Sequence, residues 1–472
     1  MSDIGPGRQF DLHMSDSDAL MWNIEKDPVL RSTIVAVAIL EAPPDFERLR
    51  RRYEQASHTI PRLRQRVLTP PMRIGPPRWA DDPHFDLDFH LRRIVVPPPG
   101  NQRRLLDFVG PIAQTSFDRA RPLWETTVVE GLDDGRAAVV MKVHHSVTDG
   151  VGGVELLAQL VDLDPGGGNT ISVHERDHGQ APTEALEGGA LVRDSIAHTT
   201  RRFMGIARRV PTIALDTVTS AARDPFGSAV RAVDTARSVG RAVAPASSPM
   251  SPLMTRRGLG RRLDAFDVSL DDLRRAAKRA ECSLNDAFVA AVIGGLAQYH
   301  GARGTEVDEL RMTIPINIRH EGSSAAGNHF APARFAVPTA IVDPVERMHA
   351  VGALVRAWRQ EPALALTDTL AGVLNRLPTS TTTALFGGML KCVDFVTSNV
   401  PGAPMPVYLG GAEVERLYAF GPPSGAAVNV TLLSHVDTCC IGVVSDTTAV
   451  PDGSALLGEL QRGFDEVLAA QA

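Results

Sequence analysis

The stretch from Trp124 to Leu163 constrains the fold more than any other part of the chain. Trp124–Glu130 (WETTVVE) and Ala137–Val143 (AAVVMKV) are β-rich runs, and GLDDGR between them supplies an Asp-Gly turn, which together predict a hairpin. Antiparallel pairing of the two runs sets Pro122 and Trp124 across from His145 and Val143, to within a residue or two of register. Directly after the second strand come His144-His145-Ser146-Val147-Thr148-Asp149-Gly150, then Gly152-Gly153 and a helix-like run, Val154–Leu163. The glycines suit a tight strand-to-helix corner where backbone and ligand approach closely. Neighbouring residues on a strand face opposite ways, so one of the two histidines faces any given cavity, which argues against both binding one metal. A histidine facing a cleft, with an ordinary pKa of about 6.5, is suited to general-base work. The other is then free to fix the loop through backbone hydrogen bonds. The plainer alternative is a histidine pair that only caps a strand.

Around this centre the chain reads as two halves of similar texture. At about 150 residues per domain, 472 residues predict two or three domains. Residues 1–165 form a mixed N-terminal domain, with a strand at Thr33–Leu40 and helices at Asp45–Ile60 and Leu105–Ser116. Residues 166–260 read as linker and helical crossover, opening on the Gly-rich run after Pro165. Within it, Ala190–Arg241 carries nine arginines against four aspartates. That bias suits either an interfacial helix on anionic lipid or a crossover packed on the protein. Residues 261–472 form a C-terminal domain, with helices Leu270–Ala280 and Leu284–Tyr299, a strand Arg311–Ile318, and a last helix near Ala455–Ala469.

Composition excludes several classes. Basic and acidic residues nearly balance, 49 against 55, so no global field draws nucleic acid. Cys282, Cys392, Cys439 and Cys440 lack metal-ligand spacing, which predicts free thiols in a reduced, cytoplasmic setting. The N-terminus has no signal-peptide pattern, and Ile34–Leu40 and Phe288–Ala297 fall short of the roughly 20 apolar residues a spanning helix needs. The expectation is a soluble or at most peripheral protein. The chain holds no P-loop, GxGxxG, HExxH or GxSxG pattern.

The HHxxxDG pattern of His144, His145, Asp149 and Gly150 resembles the chloramphenicol-acetyltransferase-like acyltransferases. Further elements resemble one branch of them, the bacterial wax ester synthase/diacylglycerol acyltransferase family. They are Asp18 with Glu25, the stretch Trp79–Leu87, Pro122-Leu123-Trp124, Asn285-Asp286, Ile314–Arg319 with Gly327-Asn328, and Ser398-Asn399-Val400-Pro401-Gly402. They occur in the family's order from residue 18 to residue 402. The resemblance implies an α/β fold of two acetyltransferase-like domains with mixed sheets and an active-site tunnel between them. It also implies His145 as base, His144 and Asp149 as mainly structural, and Pro122, Leu123, Trp124, Gly150, Asn285, Ser398 and Asn399 as lining the substrates. Three of these elements have simpler readings. Trp124 in a hairpin suits a core, Ser283 with Asp286 three residues on is a capping-box start to a helix, and the Ser398–Gly402 turn suits a structural role.

The implied activity is transfer of a long-chain acyl group from acyl-CoA to diacylglycerol or a long-chain alcohol, making triacylglycerol or wax ester. Acyl-CoA is then a co-substrate, with no resident cofactor and no metal, and the other partner is a neutral lipid at a membrane face or lipid inclusion. Two alternatives stand beside it: a carrier-protein-dependent esterification of a specialised alcohol, and a non-catalytic lipid-binding paralogue.

Overall fold

The computed structural model describes residues 11–71, 74–147, 150–167, 188–201, 204, 248–317, 330–361, 371–372 and 374–470. The expected hairpin is present as β5 (Trp124–Glu130) and β6 (Ala137–His144), with Trp124 opposite Val143. Residues 131–136 connect the strands, with Gly131, Asp134 and Gly135 at positive φ, 82°, 61° and 74°. Every residue of β6 is buried, which accounts for the continuous apolar run Ala137–Met141 in place of an alternating one. On its other edge β6 pairs antiparallel with β1 (Thr33–Leu40), setting Thr33 opposite His144.

Six strands complete this first sheet, in the order β11-β12-β1-β6-β5-β4. β4 (Leu91–Val95) lies parallel to β5, while β11 (Tyr408–Leu409) and β12 (Ala412–Phe420) arrive from the far end of the chain. A division at residue 261 assigns residues 408–420 to the C-terminal half, yet backbone pairing places them in the first sheet, with Val37 opposite Tyr418. On one face the sheet buries Leu49 and Tyr53 of α2 (Phe46–Thr59) and Leu156 and Leu160 of α4 (Gly150–Leu160). α3 (Gln102–Gln114) covers the other face with Leu105, Leu106 and Val109. A short ribbon of β2 (Gln65–Leu68) and β3 (Arg78–Asp81) stands apart.

The second sheet runs β7-β14-β13-β10-β8-β9. Its strands are β7 (Arg261–Ser269), β8 (Glu309–Asn317), β9 (Phe330–Pro338), β10 (Phe395–Val400), β13 (Val428–His435) and β14 (Thr438–Asp446). Four helices share its core: α5 (Leu270–Arg279), α6 (Leu284–Gly301), α7 (Pro344–Arg359) and α9 (Gly453–Ala469). α6 is buried nearly all round, so the apolar run Phe288–Ala297 is a core helix. It begins with the expected capping box, the Asp286 N–H donating to Ser283 Oγ at 3.2 Å and the Ser283 N–H to Asp286 Oδ2 at 3.0 Å. Among the described residues no single helix is long and apolar enough to cross a membrane.

Besides β11 and β12, further contacts join the halves. Leu263, Cys440 and Val444 of the second sheet enter the core beneath α3, where Arg103 pairs with Asp264 at 2.6 Å. At the far end of the chain, α8 (Thr379–Lys391) packs on α1 (Asp16–Ile24). The described start of the arginine-rich crossover, residues 189–201, packs on the protein: Ser195 is fully buried, and Asp194 meets His13 at 3.0 Å and Arg78 at 3.6 Å. Residues 205–247 of that segment lie outside the described residues.

Where the sheets touch, Gly442 of β14 has no room for a side chain, since a Cβ there would stand 2.2 Å from the Ala419 carbonyl oxygen of β12. Gly442→Ala is expected to lower unfolding free energy by about 1–3 kcal/mol through overpacking, measured by denaturant titration. Unchanged stability would contradict this close approach.

Candidate active site

β6 ends at His144 and α4 begins at Gly150, so the histidines occupy the strand-to-helix corner that the glycines predict. Asp149 lies outside the described residues, and Gly150 is described only as the start of α4. The two histidines have different surroundings. His144 is 1% exposed, and its ring makes T-shaped contacts with those of Trp22 and Phe117 at centroid distances of 5.6 and 6.1 Å. His145 is half-buried in the turn, and its N–H donates to the Ser32 carbonyl at 2.8 Å.

Hydrogen bonds determine the state of the His144 ring. Nδ1 accepts the Ser146 backbone N–H at 3.1 Å and sits 2.7 Å from Ser146 Oγ. With Nδ1 an acceptor, the neutral ring carries its proton on Nε2, which donates to Glu25 Oε1 at 2.9 Å. That same oxygen accepts the Ser32 N–H at 2.6 Å. Burial pushes the Glu25 carboxyl up, but His144, the Ser32 N–H and the Arg119 guanidinium outweigh it and hold the carboxyl below its ordinary 4.5. Arg119 itself lies over the Trp22 ring at 4.1 Å. Two residues back on the same strand face, Lys142 is fully buried, 3.0 Å from Thr115 Oγ1 and 3.5 Å from Glu125 Oε1. Burial pushes its pKa down while Glu125 works against that shift.

Pro122, Leu123 and Trp124 lie beside the histidines, as the register requires, and the His144 N–H donates to the Leu123 carbonyl at 3.0 Å. Their side chains are core. Leu123 packs with Met14, Ala19 and Trp22. Trp124 stacks with His90 and Tyr53, at 4.6 and 5.6 Å, and its Nε1–H donates to the Leu63 carbonyl at 2.9 Å. The rings and the one polar atom of this indole are thus engaged by protein, the plainer of its two sequence readings.

Ser398 and Asn399 are half-buried at the end of β10, opposite Thr431 and Leu432 of β13. The turn after them closes with the Gly402 N–H donating to Ser434 Oγ at 3.2 Å. Val400 and Ala403 pack against the same core as Val147 and Leu156, so this turn and the histidine corner share one support. Asn285 is half-buried in the first turn of α6, whose main packing partners are α5, α7 and α9 of the C-terminal half. No described contact brings it to His145. A second Ser–His pair, Ser251 Oγ to His300 Nε2 at 2.7 Å, is buried and ties the segment before β7 to α6.

Sequence reasoning assigned no role to Glu25, Ser32 or Ser146. Glu25 is 119 positions from His144, and no local spacing reveals such a pairing. Its place in the element shared with Asp18 was the available signal. Among the described residues no group of three or more His, Cys, Asp or Glu is arranged to hold a metal ion.

Comparison with known proteins adds an independent line. Residues 14–288 match the wax ester synthase/diacylglycerol acyltransferase catalytic domain, and residues 326–467 match the WS/DGAT C-terminal domain. The chain belongs to this family. Among similar proteins, "Putative diacyglycerol O-acyltransferase Rv2484c" of Mycobacterium tuberculosis is 38% identical over 99% of this chain and 94% of its own length. A second protein of that species with the same printed activity, Rv3087, is 30% identical over 96% of each chain. Among solved structures, the wax ester synthase/diacylglycerol acyltransferase from Marinobacter aquaeolei VT8 superposes with a TM-score of 0.61 at 23% identity, covering 96% of this chain and 98% of that one. The first condensation domain of the calcium-dependent antibiotic synthetase gives the same TM-score at 15% identity, over 98% and 96%. Both show the two-domain acetyltransferase-like fold that the sequence resemblance implied.

A group whose pKa is depressed on folding stabilises the fold above its unfolded pKa, and that contribution is lost as pH falls through the folded value. Glu25 is such a group. Wild-type unfolding free energy should therefore fall more steeply than that of Glu25→Gln as pH drops from about 5 through the ordinary carboxylate range and below it, followed by denaturant titration at each pH. Parallel curves would show that the ionised carboxylate is not stabilised by its partners.

Proposed function

We propose that this chain is an O-acyltransferase that moves a long-chain acyl group from acyl-CoA to the hydroxyl of diacylglycerol, of a long-chain alcohol, or of both. The observation that carries the reading is the division of labour at the corner. His144 has both ring nitrogens committed to Ser146 and Glu25, which leaves base chemistry to His145 on the half-buried turn. The family and its relatives, named as diacylglycerol O-acyltransferases, support the substrate class.

In this mechanism His145 takes the proton of the acceptor hydroxyl as that oxygen attacks the thioester carbon. A C–O bond forms and the carbonyl becomes a tetrahedral oxyanion. Backbone N–H groups at the start of α4, near Gly150, or the Asn285 side chain supply its donors. Collapse breaks the C–S bond, and His145 returns the proton to the coenzyme A sulfur. Transfer is direct and no acyl-enzyme is required. Asp149 is assigned to holding the turn and Pro122-Leu123-Trp124 to supporting it. Ser398 and Asn399, at the end of β10 beside Val400, are assigned to the place where the acyl chain and acceptor meet.

The test uses purified protein with labelled palmitoyl-CoA and either diacylglycerol or hexadecanol. Wild type is expected to form ester, and His145→Ala to lose about 10²–10⁴-fold in rate, the usual worth of a general base. A variant of unchanged rate would remove His145 from the mechanism. Ester formed from an acyl-carrier thioester but not from acyl-CoA would favour the carrier-dependent reading.

A neutral-lipid acceptor requires access to a lipid surface, and we place that contact on the crossover helix. Ile196 and Met204 are 47% and 49% exposed there, beside the exposed Arg193 and Arg201. Apolar side chains flanked by arginines match the surface of an anionic membrane or lipid inclusion. Ile196→Asp/Met204→Asp leaves the buried Leu191 and Ser195 in place. This variant should float less with phosphatidylglycerol liposomes than wild type, and equal flotation would assign the exposed pair no such role.

A further inference from the structure

We infer that Glu25 is a positioning residue for His145, and that through it the C-terminal half sets the geometry of the reacting turn. The inference rests on the reading of His145 as the base.

Glu25 Oε1 accepts two hydrogen bonds, one from His144 Nε2 at 2.9 Å and one from the Ser32 N–H at 2.6 Å. The first orients the His144 ring. The second holds one end of residue 32, and the carbonyl at its other end accepts the His145 N–H at 2.8 Å. One carboxylate oxygen therefore governs the side chain of the first histidine and, through a single residue, the backbone of the second. Thr33, next in the chain, pairs with His144 across the β1–β6 ladder and closes the loop of constraints. Arg119, 3.9 Å from Oε2, steadies the other oxygen.

Glu25 stands directly after α1, and α1 is gripped by the C-terminal half. Asn375 Nδ2 donates to the Asp16 carbonyl at 2.7 Å, and Asn23 Nδ2 donates to Asn375 Oδ1 at 3.1 Å. Lys391, the last residue of α8, pairs with Asp27, two residues past Glu25. Leu30 fills the space over Gly387 of α8. A continuous line of contacts thus runs from α8 through α1 and Glu25 to the histidines. Misplacing a catalytic group by about 1 Å costs on the order of 100-fold in rate, so a carboxylate that fixes such a group acts on kcat while leaving substrate binding intact.

Three substitutions separate reach from charge. Glu25→Gln keeps an oxygen that can accept both bonds. Glu25→Asp keeps the charge but draws the oxygens back by one carbon, and Glu25→Ala removes the acceptor. With palmitoyl-CoA and diacylglycerol, the Asp and Ala variants are expected to lose about 100-fold in kcat with KM little changed, and Gln to recover most of that loss. Thermal melts at the assay pH establish which variants fold, and the Asp–Gln comparison decides the matter if Ala does not. Three outcomes would overturn the assignment: wild-type kcat in Asp, a Gln variant as slow as Asp, or a change confined to KM. His145→Ala is assayed alongside. Full rate in that variant removes the base reading itself, whereas an inactive His145→Ala beside a fully active Glu25 series removes only the positioning role.

Discussion

In the pairing of β1 with β6, Thr33 lies opposite His144, and the residue before Thr33 accepts the His145 N–H. Antiparallel register is all or nothing, because a slip of one residue turns every side chain to the opposite face. Burial on both faces of β6 pins this register. On one side Val139, Met141 and Val143 pack against α2 and α4. On the other, Ala138 and Val140 pack beneath α3 and the second sheet. The histidine corner is thus the end of a strand with no freedom to slide. The insertion of β12 beside β1 adds to this, since it fills the open edge of β1 with a strand from the C-terminal half.

Burying polar groups at such a corner is costly unless each finds a partner. The structure meets that requirement with residues both near and distant in sequence. His144 is satisfied by Ser146 and Glu25, and Glu25 in turn by Ser32, His144 and Arg119. Lys142 lies against Thr115, Glu125 and the Phe117 ring. The polar groups of this corner are therefore paired inside an apolar frame. Such pairing holds their orientation, which suits the proposed general base, whose proton-transfer geometry must be ready before substrate arrives.

Much of the local structure was legible in the residues themselves. The hairpin register followed from two β-rich runs and an Asp-Gly turn, because hydrogen-bond geometry leaves few ways to close them. β1 matches its predicted residues, as its β-branched run requires. The capping box at Ser283 and Asp286 was legible because it is a four-residue event. The family resemblance rested on short motifs spread along the chain, and the matched domains, residues 14–288 and 326–467, take in all of them except Ile314–Arg319. The distant pairings were not legible. Nothing in the periodicity of residues 408–420 states that they pair with β1 rather than with their own neighbours. The indole of Trp124 could be read as channel or core, and only its contacts with Tyr53, His90 and Leu63 favour the core.

What the sequence determined by itself is the set of elements with their local geometry: a strand that ends in two histidines, glycines that turn it into a helix, and caps that start helices where they do. These depend on interactions within a few residues, where steric and hydrogen-bonding rules leave little choice. Tertiary structure decided which carboxylate holds His144, which strand completes the first sheet, and which half of the chain grips α1. His145 is far in sequence from Glu25 and Ser32, and the three share one network only because two sheets and their helices close around them. That closure depends on shape and burial summed over the whole chain, which no local pattern encodes.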